Sequence, residues 1–292
     1  MSMSMVMLAL TLSVILCSPG KDAGAPAAPV MRIVSLSPSI SRQIIDLHAG
    51  RLLVGVTSYD DLREGGVTIV GTLIQPNFEK ILTLEPDVVF CSDEDGPVQN
   101  IERLIEAGAV VRRFGRNRNY ADICDHYEAL AGMLGREGLA RKNIQRYTER
   151  LNRAIHRTRF SGRGGRLPRV AFFLSCRPLI AASSDSFIGR IIRDAGGSCA
   201  YHAAGLSYPM VSVESLVYAD PDVFISMGGD ADSSDFFRVL SGDFNSLKAV
   251  RNRALFMIAP DTIPYYTPED YVKSVEKISG ILRKAALSGL TP

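Results

Sequence analysis

The stretch EGLARKNIQRYTERLNRAIHRTR, Glu137–Arg159, decides the fold, because it reads as one long helix with a single apolar face. Leu139, Ile144, Tyr147, Leu151, Ala154, Ile155 and Thr158 recur at steps of mostly three and four. The positions between them are mainly Arg, Lys, Glu, Asn and Gln, which suit a solvated face. No Pro or Gly interrupts the run after Gly138, and Ser161-Gly162-Arg163-Gly164-Gly165-Arg166-Leu167-Pro168 ends it. At ~1.5 Å per residue such a helix extends about 33 Å, enough to run down one domain and into another.

The flanks of this helix repeat one another. Before it stands Pro76-Asn77-Phe78-Glu79-Lys80-Ile81-Leu82-Thr83-Leu84-Glu85-Pro86-Asp87, followed by apolar Val88-Val89-Phe90. After it stands Val211-Ser212-Val213-Glu214-Ser215-Leu216-Val217-Tyr218-Ala219-Asp220-Pro221-Asp222, followed by Val223-Phe224-Ile225. In both, a Glu precedes Pro-Asp and then an apolar strand, so the chain carries a degenerate internal repeat and predicts two similar lobes on a stiff rod.

Strand patterns are expected near 32–36, 52–57, 88–91, 110–114, 170–174, 179–182, 223–226 and 255–258. Helices are expected near 38–47, 78–84, 97–107, 121–134, 187–195 and 268–284. Short helices or turns are expected at 236–240 and 244–250. Short all-apolar strands alternating with helices argue parallel sheets covered on both faces. The fold class is therefore α/β: two Rossmann-like lobes with mostly parallel sheets, joined by one long α-helix. The division is a leader and tether over 1–30, an N-terminal lobe over 31–135, a linking helix over 136–161 and a C-terminal lobe over 162–292. Asp87 and Asp222 follow Pro at strand starts, where turn chemistry accounts for them.

A hydrophobic content of 46% against 22% charge describes a globular chain that buries a large core, and a net charge of +2 selects no partner. Basic residues crowd residues 136–169, and the solvated side of the rod accounts for them, since the one aromatic within the helix, Tyr147, belongs to its apolar face. No nucleic-acid partner is expected, and an anionic membrane surface is a secondary reading. The apolar run Met5–Leu16 is too short to span a bilayer and reads as a secretion leader, although no Lys or Arg precedes Lys21. Val14-Ile15-Leu16-Cys17 is similar to a bacterial lipobox, which would lipidate Cys17 and anchor the chain to a membrane. Ala23-Gly24-Ala25 offers the competing cleavage site. Either outcome places the chain outside the cytoplasm, in the periplasm or its equivalent. Cys91, Cys124, Cys176 and Cys199 lie in no CxxC or Cys/His cluster, so no metal site is expected, and buried free thiols are the simplest state.

Arg32-Ile33-Val34-Ser35-Leu36-Ser37-Pro38-Ser39-Ile40 and Leu53-Val54-Gly55-Val56-Thr57 resemble the opening of one family. These are the substrate-binding proteins of ABC importers for cobalamin and ferric siderophores, of the class with a helical backbone. Pro76-Asn77-Phe78-Glu79-Lys80-Ile81-Leu82, Pro86-Asp87-Val88-Val89 and Leu247-Lys248-Ala249-Val250-Arg251-Asn252 continue the pattern, and the layout is most similar to the vitamin B12-binding type. The resemblance implies a ligand cleft between the lobes, no catalysis and no covalent cofactor. The implied ligand is a corrinoid or ferric siderophore, with haem as the alternative in the same importer class, and the implied partner is an ABC permease dimer.

The resemblance makes Glu79 and Glu214 the docking acids that meet permease arginines, since a carboxylate and a guanidinium form a two-pronged charge-assisted pair. Helix-dipole stabilisation, about 0.3–1 kcal/mol, explains one such Glu but not a matched pair. Tyr59, Tyr208, Tyr265 and Tyr266 fall in loops at strand ends, where open α/β sheets bind ligands, and flat rings suit a macrocycle or catecholate. Leu73 stands where the B12 binders carry Trp, and this chain has no Trp. Arg177 is placed to pair with an anionic ligand. Of His48, His126, His156 and His202, His202 is the one suited to meet a haem iron. Two other classes compete: a two-lobed enzyme such as a glycosyltransferase, and a surface protein with a vestigial cleft. The enzyme reading lacks a GxGxxG, GxxxxGK[ST] or GxSxG motif.

Overall fold

Each apolar run becomes a strand, and each amphipathic run between them a covering helix. The computed structural model describes residues 31–60, 66–96, 98–159, 166–228, 231–259 and 265–288, and the leader, Cys17 and its cleavage alternative lie outside them. The first lobe runs β1 (Ile33–Ser35), α1 (Pro38–Asp46), β2 (Leu53–Val56), β3 (Thr68–Ile69), α2 (Phe78–Thr83), β4 (Val88–Ser92), α3 (Val98–Glu106) and β5 (Val111–Phe114). Its five strands are all parallel in the order β3-β2-β1-β4-β5. Two helices follow, α4 (Tyr120–Leu134) and α5 (Glu137–Arg159), the latter over the range the periodicity predicts.

The second lobe runs β6 (Arg169–Cys176), β7 (Leu179–Ala181), α6 (Phe187–Asp194), β8 (Ser198–Cys199), α7 (Val213–Ala219) and β9 (Val223–Met227). It closes with α8 (Ala231–Asp243), α9 (Lys248–Arg251), β10 (Leu255–Ile258) and α10 (Pro268–Ser288). Its sheet has the order β10-β9-β6-β7 with β8 also on β6. Here β7 is antiparallel to β6, since the pair is a tight hairpin through Arg177-Pro178. Two expectations differ. The short helices or turns expected near 236–240 and 244–250 are one longer helix, α8, followed by α9; the Ser- and Asp-rich sequence of 230–235 reads locally as a turn. The two-residue strands β3 and β8 are too short to leave a pattern.

The long helix does not stand alone. Ala140 and Ile144 of α5 pack in the first lobe's core with Tyr127, Leu130 and Ala131 of α4. Tyr147, Leu151 and Ala154 of α5, and Ile123 of α4, pack in the second lobe's core beside Val272, Val275 and Ile278 of α10. The bridge is thus α4 and α5 running antiparallel, with α10 laid against both. Gly135 makes the sharp return between α4 and α5 in the left-handed region, at φ 63°. Arg150 of α5 fastens α10 by two hydrogen bonds to Glu276, at 3.2 and 2.7 Å.

Beneath the bridge lies a polar knot centred on Asp46, at the end of α1. Tyr127 of α4 donates to one of its oxygens and Tyr147 of α5 donates to the other at 2.9 Å. Asn143 of α5 donates to Asp46 at 3.3 Å and to the Tyr127 hydroxyl at 3.0 Å. Tyr127, Tyr147 and Asn143 are all buried. Burial first, and then Asp46, raises both phenols well above their usual range, so they remain donors.

The repeat also has a structural meaning that turn chemistry misses. The Asp87 carboxylate accepts the Arg32 backbone N–H at 2.6 Å, while Asp87 N donates to Arg32 O at 2.8 Å. In the second lobe Asp222 makes the same reciprocal pair with Arg169, at 2.8 and 2.9 Å. Each Pro-Asp therefore clasps the residue that opens the lobe's central strand. The residue before each Pro, Glu85 or Asp220, takes a positive φ of 44° or 39°, so even the strain is repeated.

Candidate ligand and docking sites

In the first sheet the chain leaves β1 in both directions, toward β2 and toward β4, so the switch point lies between the ends of β1 and β4. Ser37 follows β1 and Asp95 follows β4, and their side chains meet there: the Ser37 hydroxyl donates to the Asp95 carboxylate. Ser37 holds the N-cap position of α1, but its side chain makes no capping bond because it is committed to Asp95. Burial pushes Asp95 up to about 6, with the Ser37 bond opposing and Glu94 adding to the rise. Asp60, after β2, is raised by burial too, although it accepts Thr57 N at 3.1 Å and Thr57 Oγ1 at 2.8 Å.

The second lobe reaches across to the same place. Tyr266 N donates to Ser39 Oγ at 3.1 Å, and Gln43 Nε2 donates to Tyr266 O at 2.7 Å, which pins the segment before α10 on the first turns of α1. The Tyr266 ring packs 4.5 Å from Phe187. Its hydroxyl is raised by burial first and then by Glu94, Tyr208 and Asp95. Tyr208 is pushed up to about 12 by burial and by the same Glu94. Both phenols stay protonated, as hydrogen-bond donors with flat apolar faces. Glu94 also accepts Asn117 N at 2.8 Å and so holds the loop after β5.

The expected ligand residues therefore divide. Tyr208 and Tyr266 are both raised by Glu94 of the first lobe, and Tyr266 is tied to α1 by hydrogen bonds. Leu73 lies against the loop after β4 on the first lobe, since a Cβ on Gly96 would stand 2.7 Å from the Leu73 carbonyl. Tyr59 is 55% exposed on the loop that also carries Asp60. Tyr265 is occupied otherwise: the Arg42 guanidinium sits 3.7 Å over its ring, a cation–π contact between the lobes. Arg177 is exposed in the β6–β7 turn, with its N–H 3.3 Å from Ser175 Oγ. His202 is exposed, with Ser184 Oγ at 2.5 Å and Asp185 at 4.0 Å, both of its own lobe. Sequence reasoning missed Ser37, Asp60, Glu94 and Asp95. The available signal was their place directly after β1, β2 and β4. Among the described residues no group of three His, Cys, Asp or Glu is set to hold a metal ion, and the four cysteines form no disulfide.

The Asp95 carboxyl gives a measurable pH dependence. Its folded-state pKa of about 6 lies above the usual 3.8, so the fold binds a proton more tightly than the unfolded chain. That burial costs stability as the pH rises from about 4 through 6. Asp95→Asn, which keeps an acceptor for Ser37, is expected to stabilise the protein at pH 7.5 by about 2 kcal/mol and to leave it nearly unchanged at pH 4. Urea unfolding at the two pH values checks this; equal effects at both would show that the carboxyl is not held in its neutral form.

Glu79 and Glu214 occupy equivalent ground on the outside of the lobes. Asn77 caps α2 by accepting Lys80 N at 2.9 Å, and Ser212 caps α7 by accepting Ser215 N at 3.2 Å. Each Glu is then the second residue of its helix, and both are exposed. Glu214 is held below the usual carboxylate range, chiefly by the Ser212 hydroxyl and its own backbone N–H.

A family model described as "Periplasmic binding protein" matches residues 33–262. The chain belongs to that family. A curated relative, the vitamin B12-binding protein of Vibrio cholerae, is 24% identical over 259 residues, which is 88% of this chain and 91% of the relative. Among solved structures, a periplasmic haem-binding protein of Pseudomonas aeruginosa superposes with a TM-score of 0.76 at 21% identity, covering 87% of this chain and 93% of that one. The siderophore-binding protein of Vibrio cholerae, in its ferric Desferal complex, gives a TM-score of 0.71 at 18% identity, covering 88% and 99%. These likenesses establish that this periplasmic binding protein has the two-lobed α/β fold expected from its sequence.

Proposed function

We propose that this periplasmic binding protein captures a metal chelate, a corrinoid or a ferric siderophore, between its lobes and delivers it to the permease dimer of an ABC importer. The observation that carries the reading is that the Tyr266 backbone of one lobe is hydrogen-bonded to Ser39 and Gln43 of α1 in the other, beside the Ser37–Asp95 pair at the switch point of the first sheet. Flat rings and hydroxyl donors opposite carboxylates suit a large planar ligand rich in hydrogen-bonding groups. The relatives named above bind vitamin B12, haem and a ferric siderophore. The three-helix bridge and the Tyr266 link to α1 favour small lobe movements, so the site is largely preformed. Within this reading the protein does no chemistry, Tyr59 and Leu73 complete the first-lobe wall, and Arg177 and Tyr265 are peripheral. The leader delivers the chain outside the cytoplasm, with lipidation at Cys17 the alternative to cleavage.

Haem is the second reading, on the strength of the haem-binding neighbour. The experiment is the absorption spectrum of protein purified from its native host, followed by tryptophan-free fluorescence or absorbance titration with cobalamin, ferrioxamine and haem. A corrinoid or ferric-chelate spectrum with saturable binding is expected. A Soret band would select haem, and failure to bind any of the three would overturn the chelate reading.

A further inference from the structure

The two docking helices are equivalent in the repeat but unequal in chemistry. On α7, Glu214, Val217 and Tyr218 stand at i, i+3 and i+4 and share one outward face, while Leu216 and Ala219 are buried behind it. On α2 the same positions are Glu79, Leu82 and Thr83, with Ile81 buried behind. Val217 and Leu82 are matched, 42% and 37% exposed. The fourth position is not: Tyr218, 93% exposed, replaces Thr83. A second difference lies earlier in the repeat. Met210, 71% exposed on the segment that leads into α7, replaces Gln75; the first lobe offers only Ile74, 67% exposed, nearby.

Single exposed apolar residues are ordinary on a soluble protein. Here Val217 and Tyr218 share one helix face with Glu214, the acid assigned to docking, and Met210 lies on the segment that leads into the same helix, so a carboxylate suited to a guanidinium is set beside large exposed apolar groups. Aromatic residues in such a setting, beside a charged pair and able to enter a desolvated recess, supply most of the binding energy of an interface. We propose that Met210, Glu214, Val217 and Tyr218 form an anchor that seats the second lobe on one permease subunit, at a guanidinium flanked by an apolar recess. Tyr218 is its strongest residue, and Ile74, Glu79 and Leu82 form the weaker counterpart on the other subunit. The inference rests on the docking reading given above. It adds that a symmetric partner is engaged unequally, with the second lobe dominant.

The test combines photo-crosslinking and affinity. p-Benzoylphenylalanine is placed at 79, 214 or 218 in the full chain in its host, and each adduct is identified by mass spectrometry. Binding of Tyr218→Ala, Leu82→Ala and the control Ile105→Ala to the host's importer complex in lipid nanodiscs is then measured. The expected result is a permease-subunit adduct at all three positions and a loss of at least tenfold in affinity for Tyr218→Ala. Leu82→Ala should lose only a few-fold and Ile105→Ala nothing. Permease adducts at 79 and 214, with a loss below tenfold for Tyr218→Ala, overturn the anchor and leave docking intact. An adduct at 218 with a second copy of this chain overturns it in favour of self-association. Absence of permease adducts at all three positions overturns both readings.

Discussion

Glu79→Ala combined with Glu214→Ala is expected to abolish importer-dependent uptake while leaving ligand affinity within about twofold of the parent protein. Each carboxylate is exposed on a lobe surface, outside the interlobe environment of Tyr208, Tyr266 and Asp95. A hydrogen-bonded charge pair at an interface contributes about 1.5–3 kcal/mol. The two acids sit on separate lobes, so their losses add. Together they remove roughly 3–6 kcal/mol of association, a hundredfold loss of affinity or more. The fold itself should hardly change, since each Glu contributes only about 0.3–1 kcal/mol to its helix terminus. Radiolabelled or spectroscopically followed uptake, paired with ligand titration, measures both halves. Uptake by the double variant at the parental rate would remove the docking assignment.

The largest effect on stability is expected at Asp46→Ala. Removing this carboxylate strands the hydroxyls of Tyr127 and Tyr147 and one donor of Asn143, all buried under the bridge. A buried polar group left without its partner costs about 1–3 kcal/mol. Asp46 is itself only half-buried, so water reaches part of the vacated space. The expected loss is therefore about 3 kcal/mol rather than the full sum, with Asp46→Asn losing roughly half as much because it retains one acceptor. Urea midpoints with unchanged slopes would report it. A loss below about 1 kcal/mol for the Ala variant would show that the knot is not what fastens α1 to the bridge.

Much of the architecture is legible in the sequence because it is local. The apolar spacing of α5, the caps Asn77 and Ser212, and the repeated Glu with its Pro-Asp all act within a few residues. What stayed hidden is what the chain brings together from afar. Ile123 and Val275 share a core although α4 and α10 are separated by most of the second lobe. The Ser37–Asp95 bond spans 58 residues, and Tyr266 meets Ser39 across 227. No pattern within one segment encodes such partners. Asp87 and Asp222 show the same limit at smaller scale. Their residue type announces a turn, but only the folded lobe reveals that each closes on the backbone of Arg32 or Arg169. Tyr265 was indistinguishable from Tyr266 in sequence, and the Arg42 guanidinium over its ring separates them.

The position of α10 has a further consequence, for the order in which the two lobes fold. The first lobe's cores draw on nothing beyond Ile144 and can close by themselves. The core that holds Ile123, Tyr147 and Leu151 also needs Val272, Val275, Ile278 and Ile281, far along the chain, and closing such distant contacts is slow. The second lobe and the bridge therefore reach their final packing after the first, when α10 is laid against α4 and α5.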